Sequence, residues 1–345
     1  MKLLSIICVL FLLAFPVSGA ELTAPEVPDS GRMYMPSSTE DFGSGLLEII
    51  KKGMSFLRPD LKAAAKICVG ILACVMLTTI LKSFPGNSAK TLDFAGTGAI
   101  SLLLMESTGT MINLGARTVE EIGAYGNLLL PVMTGALASQ GGITSAVAIY
   151  SGTVIFSTIL TNLIIKLLIP GTYLYVAISI GASASDEDLL KKIRESVKQL
   201  MTWCLKTILY VFTGYIGITG VISGTTDAAT LKVAKMTISG AVPVVGGILS
   251  DASEAVLVSA GLVKNAAGIY GMLAVAAVWI RPFVKIGAHY LLLKGTAGFC
   301  GIFGSKKTTD LISDFSSAMG LLLGMTGSVC LMLVISTACY MKGVG

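Results

Sequence analysis

Residues 143–184 read ITSAVAIYSGTVIFSTILTNLIIKLLIPGTYLYVAISIGASA, with one charged side chain, Lys166, and one proline, Pro170. About 20 apolar residues cross a bilayer as a helix, so this stretch holds two span-length runs, 143–165 and 167–184. Further runs lie at 67–84, 94–115, 207–223, 266–284, 286–304 and 319–341, with shorter ones at 128–138 and 241–249. The fold class that follows is all-α: a polytopic helical membrane protein of about seven to nine transmembrane or re-entrant helices, plus amphipathic surface helices. Composition agrees. The 345 residues are 54% hydrophobic and 13% charged, where soluble domains carry roughly 25% charge, and mean hydropathy is +0.82. An ordinary cytosolic enzyme is excluded. A scattered net charge of +5 gives no basic face for nucleic acid. The 39 glycines suit close helix packing or broken helices.

Residues 1–20 read as a secretory signal, with Lys2 in the basic region, an apolar core to Phe15, and Ser18-Gly19-Ala20 as the cleavage site. Cleaved or kept as an anchor, it sends residues 21–62 out of the cytoplasm. There Pro25, Pro28 and Pro36 precede Phe42, Leu46, Leu47, Ile50, Met54 and Leu57, spaced as one face of a helix lying on the membrane. The polytopic domain is expected over 63–345. Cys68, Cys74, Cys204, Cys300, Cys330 and Cys339 fall in or beside apolar runs and form no C-x-x-C pair. Their spacing suits buried small side chains rather than a disulfide or zinc framework.

Pro131-Val132-Met133-Thr134-Gly135-Ala136-Leu137 and Pro243-Val244-Val245-Gly246-Gly247-Ile248-Leu249 share P-V-x-x-G-x-L, and Pro170 and Pro282 each follow 39 residues later. The pattern is either an internal duplication with a period of about 112, with repeats at 94–206 and 207–345, or chance matching in a chain rich in Gly, Val and Leu. A duplication would make Pro131, Gly135, Pro243, Gly246, Gly247, Pro170 and Pro282 candidate helix breaks near a pathway. Between the halves, Ser185-Asp186-Glu187-Asp188 caps an amphipathic helix that should lie along the membrane surface. Lys191, Lys192, Arg194, Lys198 and Lys206 put it on the cytoplasmic side. Residues 67–185 must then cross an odd number of times. The repeat predicts a second such surface helix at Lys306, Lys307, Asp310, Leu311, Ile312, Asp314 and Phe315.

Soluble-enzyme motifs fail. Gly304-Ser305-Lys306-Lys307-Thr308 breaks the phosphate-loop spacing, and the lone histidine, His289, removes His-dependent triads and multi-His metal sites. No catalytic residue, metal or cofactor is expected. Charges inside apolar runs cost about 2.5–3.5 kcal/mol on insertion scales and usually face a bundle interior. Asp251 and Glu254 share a helical face with Ser250; they either line a conduit or cation site, or cap a short interfacial helix. Glu106 is a second pathway candidate, or else an internal partner for Lys166. Lys264, Arg281, Lys285 and Lys294 should snorkel to an interface. Gly220 with Gly224, and Gly320 with Gly324, are spaced for helix packing.

Residues 239–252, SGAVPVVGGILSDA, and 261–268, GLVKNAAG, together with the 188–198 helix, resemble the stage III sporulation protein AE family of endospore-forming bacteria. The resemblance implies a multi-pass component of a channel or secretion-like complex between mother cell and forespore, seated in the mother-cell-derived membrane around the forespore. It also implies a need for this complex in late forespore gene expression. Partners would be other products of the stage III sporulation A operon, a forespore-membrane protein, a membrane-protein insertase and the lipid bilayer, with homo-oligomers compatible and no nucleic acid. A stand-alone secondary transporter and a non-conducting scaffold are the competing readings. The resemblance transfers no catalytic residues.

Overall fold

The computed structural model describes residues 23–84, 88–185, 188–241 and 246–342; the side chains of 89, 219–261 and 263 fall outside that description. The signal at 1–20 therefore lies outside the described residues, as does Pro243. A short turn of helix, α1 (Asp29–Arg32), leads to α2 (Phe42–Ser55). Then come α3 (Leu57–Lys82), α4 (Ala89–Ser139) and α5 (Ile143–Leu163). A π-helical segment, Ile164–Leu168, joins α5 to α6 (Ile169–Ala184). The chain continues through α7 (Asp188–Ala241), α8 (Gly246–Phe303) and α9 (Lys306–Lys342). Every described regular element is helical, and six stretches are long and apolar enough to cross a membrane.

The apolar runs group differently from the expectation. Runs 94–115 and 128–138 belong to one helix of 51 residues, and 266–284 and 286–304 to another. Pro131 and Pro282 sit inside these helices without ending them, and Gly135 likewise lies within α4. These candidate breaks are not breaks. A proline removes one backbone hydrogen bond, a loss a packed membrane helix tolerates; around Pro131, Leu129, Leu130 and Met133 are buried and hold the helix in place. At Pro170 the chain also stays helical, because the preceding π turn absorbs the mismatch.

Three helical rods, α3, α4 and α5–α6, thus connect residue 57 to residue 184. The turn between α4 and α5 needs Gly141, whose φ of 89° is left-handed. The two expected surface helices are not separate elements. Residues 188–201 open α7, which has no breaker before Lys206. Residues 306–315 open α9, with Leu311, Ile312, Asp314 and Phe315 buried in the bundle.

At about 1.5 Å per residue, the 51 residues of α4 reach roughly 75 Å, more than twice a hydrocarbon core of about 30 Å. Contacts fix the register. Along α8, Gly271 lies against Leu129, and Gly268 against Met133 and Met341. Trp279 meets Thr326, and the Tyr290 carbonyl meets Ser316. So α8 runs antiparallel to α4 and α9 over most of its length.

Halfway along, charges form a waist: Arg117, Glu120 and Glu121 on α4, Arg281 and Lys285 on α8, Asp60 on α3, and Lys166 and Lys206 at the matching heights of their helices. To one side, segments 122–139, 143–165, 207–218, 265–280 and 325–341 carry no charged side chain. To the other, the turns are flanked by Lys82, Lys90, Lys191, Lys192, Lys306 and Lys307.

The helix expected from the spacing of residues 42–57 forms as α2. Asp41 caps it by accepting from the Ser44 N–H at 2.7 Å. It packs beside α8 through Ile49, Leu273, Ala277 and Ile280, while Leu47, Ile50 and Met54 stay exposed.

Candidate functional site

α9 is the hub, and its densest polar contacts sit near the basic end. Asp314 follows Leu311 and Ile312 and precedes Phe315, so its helical face is turned inward. Its Oδ1 accepts from the Tyr175 hydroxyl of α6 at 3.1 Å, and its Oδ2 from Arg194 Nη1 of α7 at 2.5 Å. The Arg194 and Asp314 side chains are each 12% exposed. Within the next turn, Lys198 Nζ donates to Ser317 Oγ at 3.0 Å, and Ser316 Oγ donates to the Tyr290 carbonyl of α8 at 3.0 Å. Four helices are thereby joined through residues 314–317 of one. An ionised carboxylate filled by a guanidinium and a phenol has no spare proton donor for chemistry. The arrangement is a latch, and opening it strands a buried charge.

Higher up, α9 is tied by neutral pairs: Thr153 Oγ1 to Ser336 Oγ at 2.9 Å, and Thr134 with Tyr340 at 2.9 Å. The interior between α4, α8 and α9 is filled by apolar side chains, among them Ile112, Ile122, Leu322, Met325 and Ala274. His289 is buried, with Nδ1 2.9 Å from its own helix's Lys285 carbonyl. The six described cysteines are free thiols. Among the described residues no cluster of His, Cys, Asp and Glu could hold a metal.

The residues singled out in the sequence do not assemble into this site. Glu106 is exposed on α4 among Leu102, Leu103 and Met105, and Lys166 is exposed as well. Glu106 therefore neither lines an interior path nor pairs with Lys166 inside, because the inward face of that turn is taken by Leu104 and Thr108. Ser250, Asp251 and Glu254 belong to the helical backbone of α8, and Gly246 and Gly247 begin it; the side chains of this stretch lie outside the described residues. Gly220 and Gly224 are within α7, in the same undescribed stretch.

Gly320 and Gly324 face Tyr290 and Leu205, where an added Cβ would lie 3.4 Å and 3.8 Å away. The closest approaches are elsewhere: a Cβ at Gly152 would run into the Tyr215 ring and one at Gly53 into Ile280, and one at Gly271 would lie 2.6 Å from Leu129. Lys264 is buried rather than snorkelling, and Lys285 lies 3.9 Å from Asp60. The sequence reading missed the Asp314 latch by treating residues 306–315 as a surface helix; the apolar neighbours of Asp314 on its own face were the available signal.

Residues 34–343 match the model of the family described as Stage III sporulation protein AE. The chain belongs to the stage III sporulation protein AE family. A relative called Stage III sporulation protein AE, from Bacillus subtilis (strain 168), is 22% identical over 295 residues, covering 84% of this chain and 74% of the relative. No solved structure matches. The stage III sporulation protein AE match begins at Tyr34 and so takes in α2 and all six candidate spanning stretches. Membership gives the chain a role in stage III of sporulation, as an all-helical membrane protein of the sporulating cell.

Proposed function

We propose that the chain is a non-catalytic membrane component of a channel or secretion-like complex between mother cell and forespore, required for late forespore gene expression. The family match over 34–343 carries this reading. In it, the chain resides in the mother-cell-derived membrane around the forespore, reached through an insertase. It assembles there with other products of its operon and with a forespore-membrane partner.

The filled interior among the described residues favours a wall or scaffold over a lone carrier. Solute passage, where it occurs, runs between this chain and its partners. The exposed apolar residues of α5, including Ile143, Val147, Ile155 and Ile159, offer surface for such assembly.

The test is deletion of the gene in a sporulating host, scored by late forespore gene expression. Loss of expression that the wild-type gene restores is expected, and normal expression in the deletion strain overturns the proposal. Complementation with D251A/E254A then divides its two forms. Normal membrane abundance and partner co-purification with lost expression puts those carboxylates on a conduit or ion site. Unchanged expression makes them a solvated cap and leaves the scaffold.

A further inference from the structure

At the waist, α4 and α8 part to leave a cavity of about 260 Å³, lined by Arg117, Thr118 and Glu121 on one side and Arg281 and Lys285 on the other, with Ser30 at its mouth. Three cations from two helices face one carboxylate in this space. That carboxylate is engaged, because Ser30 Oγ donates to Glu121 Oε2 at 2.5 Å. Among the described residues neither Arg117 nor Arg281 has a carboxylate within ion-pair range, and the nearest to Lys285 is Asp60 at 3.9 Å.

Two guanidinium groups lining one cavity repel each other unless an anion or solvent separates them. Their planar forks suit the tetrahedral oxygens of phosphate. The place is also suited, since the waist borders the charge-free segments, and basic pockets between membrane helices hold anionic lipid head groups. The cavity falls just below the size usual for drug-like solutes, which fits a head group rather than a large solute. We propose that this cavity binds a phosphate group, supplied by the head of an anionic phospholipid or by free inorganic phosphate.

The test uses the full chain purified in mild detergent, stripped of lipid, and titrated with inorganic phosphate or moved into nanodiscs of phosphatidylcholine with or without phosphatidylglycerol. Retained lipid is counted by native mass spectrometry, and Tm is followed in parallel. Phosphatidylglycerol should remain bound to the wild type and raise its Tm, and R117Q/R281Q should weaken binding at least tenfold. K51Q/K294Q removes the same two charges at exposed positions away from the cavity and should bind as wild type does. A full shift from inorganic phosphate alone assigns the site to free phosphate, whereas retention of the lipid against excess phosphate assigns it to lipid. A wild type that answers neither probe overturns the proposal, as does equal loss of binding in both double variants. If R117Q/R281Q does not accumulate, Arg281→Gln alone, at an exposed position, must still weaken binding several-fold.

Discussion

Below the waist, toward the basic end, the bundle is held by charge; above it, by shape. The lower half concentrates its polar contacts on Asp314, which a buried arginine and a tyrosine from two other helices share. The upper half has no charged side chain in its five core segments and relies on hydroxyl pairs and glycine contacts. Stability is therefore concentrated in the first region and distributed in the second. One substitution can undo the lower half, while the upper half loses strength in small steps.

The largest effect should follow Asp314→Ala, which leaves the largely buried Arg194 with only the exposed carboxylate of Glu195, 3.6 Å away. Breaking a buried pair in this way costs about 3–5 kcal/mol, so the variant should accumulate poorly and melt early. R194M/D314L, which removes both charges and leaves apolar side chains, should recover much of the loss. A double variant no better than D314A would mean that Asp314 acts through something other than Arg194.

Next comes Gly53→Ala, whose new methyl would meet Ile280. Overpacking of this kind costs about 1–3 kcal/mol, and adding Ile280→Ala should relieve it, as read by thermal unfolding. In the hydroxyl layer, Thr153→Val should cost only about 0.6 kcal/mol, the average for hydrogen bonds between membrane helices. A loss as large as that of D314A would erase the contrast between the halves.

The smallest effect is at the periphery. The Ser44 N–H and hydroxyl hold the Asp41 carboxyl below the usual carboxylate range, and Lys52 followed by the Ser37 N–H does the same for Glu48. Lowered folded values mean that both groups stabilise α2 fully at neutral pH, above the ordinary carboxylate range, and lose that contribution as pH falls through the depressed values. Amide exchange across 42–55 should therefore quicken on acidification, while exchange in α9 stays slow.

The helical membrane class was legible from charge-free runs alone, because lipid requires satisfied backbone groups and excludes exposed charge. The grouping of runs into rods was not. Pro131 and Pro282 look like stops in sequence, yet whether a helix continues through proline depends on what packs beside it, such as Tyr340 on Thr134, which is distant in the chain. The latch was hidden for a related reason. Asp314 and Arg194 are 120 residues apart, and each sits in a segment amphipathic enough to read as a surface helix. Glu106 misled in the opposite direction, since its apolar sequence neighbours are themselves turned outward.

The helix that packs against five of the others, α4 to α8, also follows all of them in the chain. Synthesis proceeds from the N-terminus at about 5–20 residues per second, so Tyr175 and Arg194 leave the ribosome long before Asp314 exists to receive them. During that interval an arginine bound for the interior has only the exposed Glu195 beside it, and its place against Asp314 stays empty until α9 is made. Consecutive helices can pair as they emerge, but the junction of α6, α7, α8 and α9 at residues 314–317 closes only when the last rod arrives.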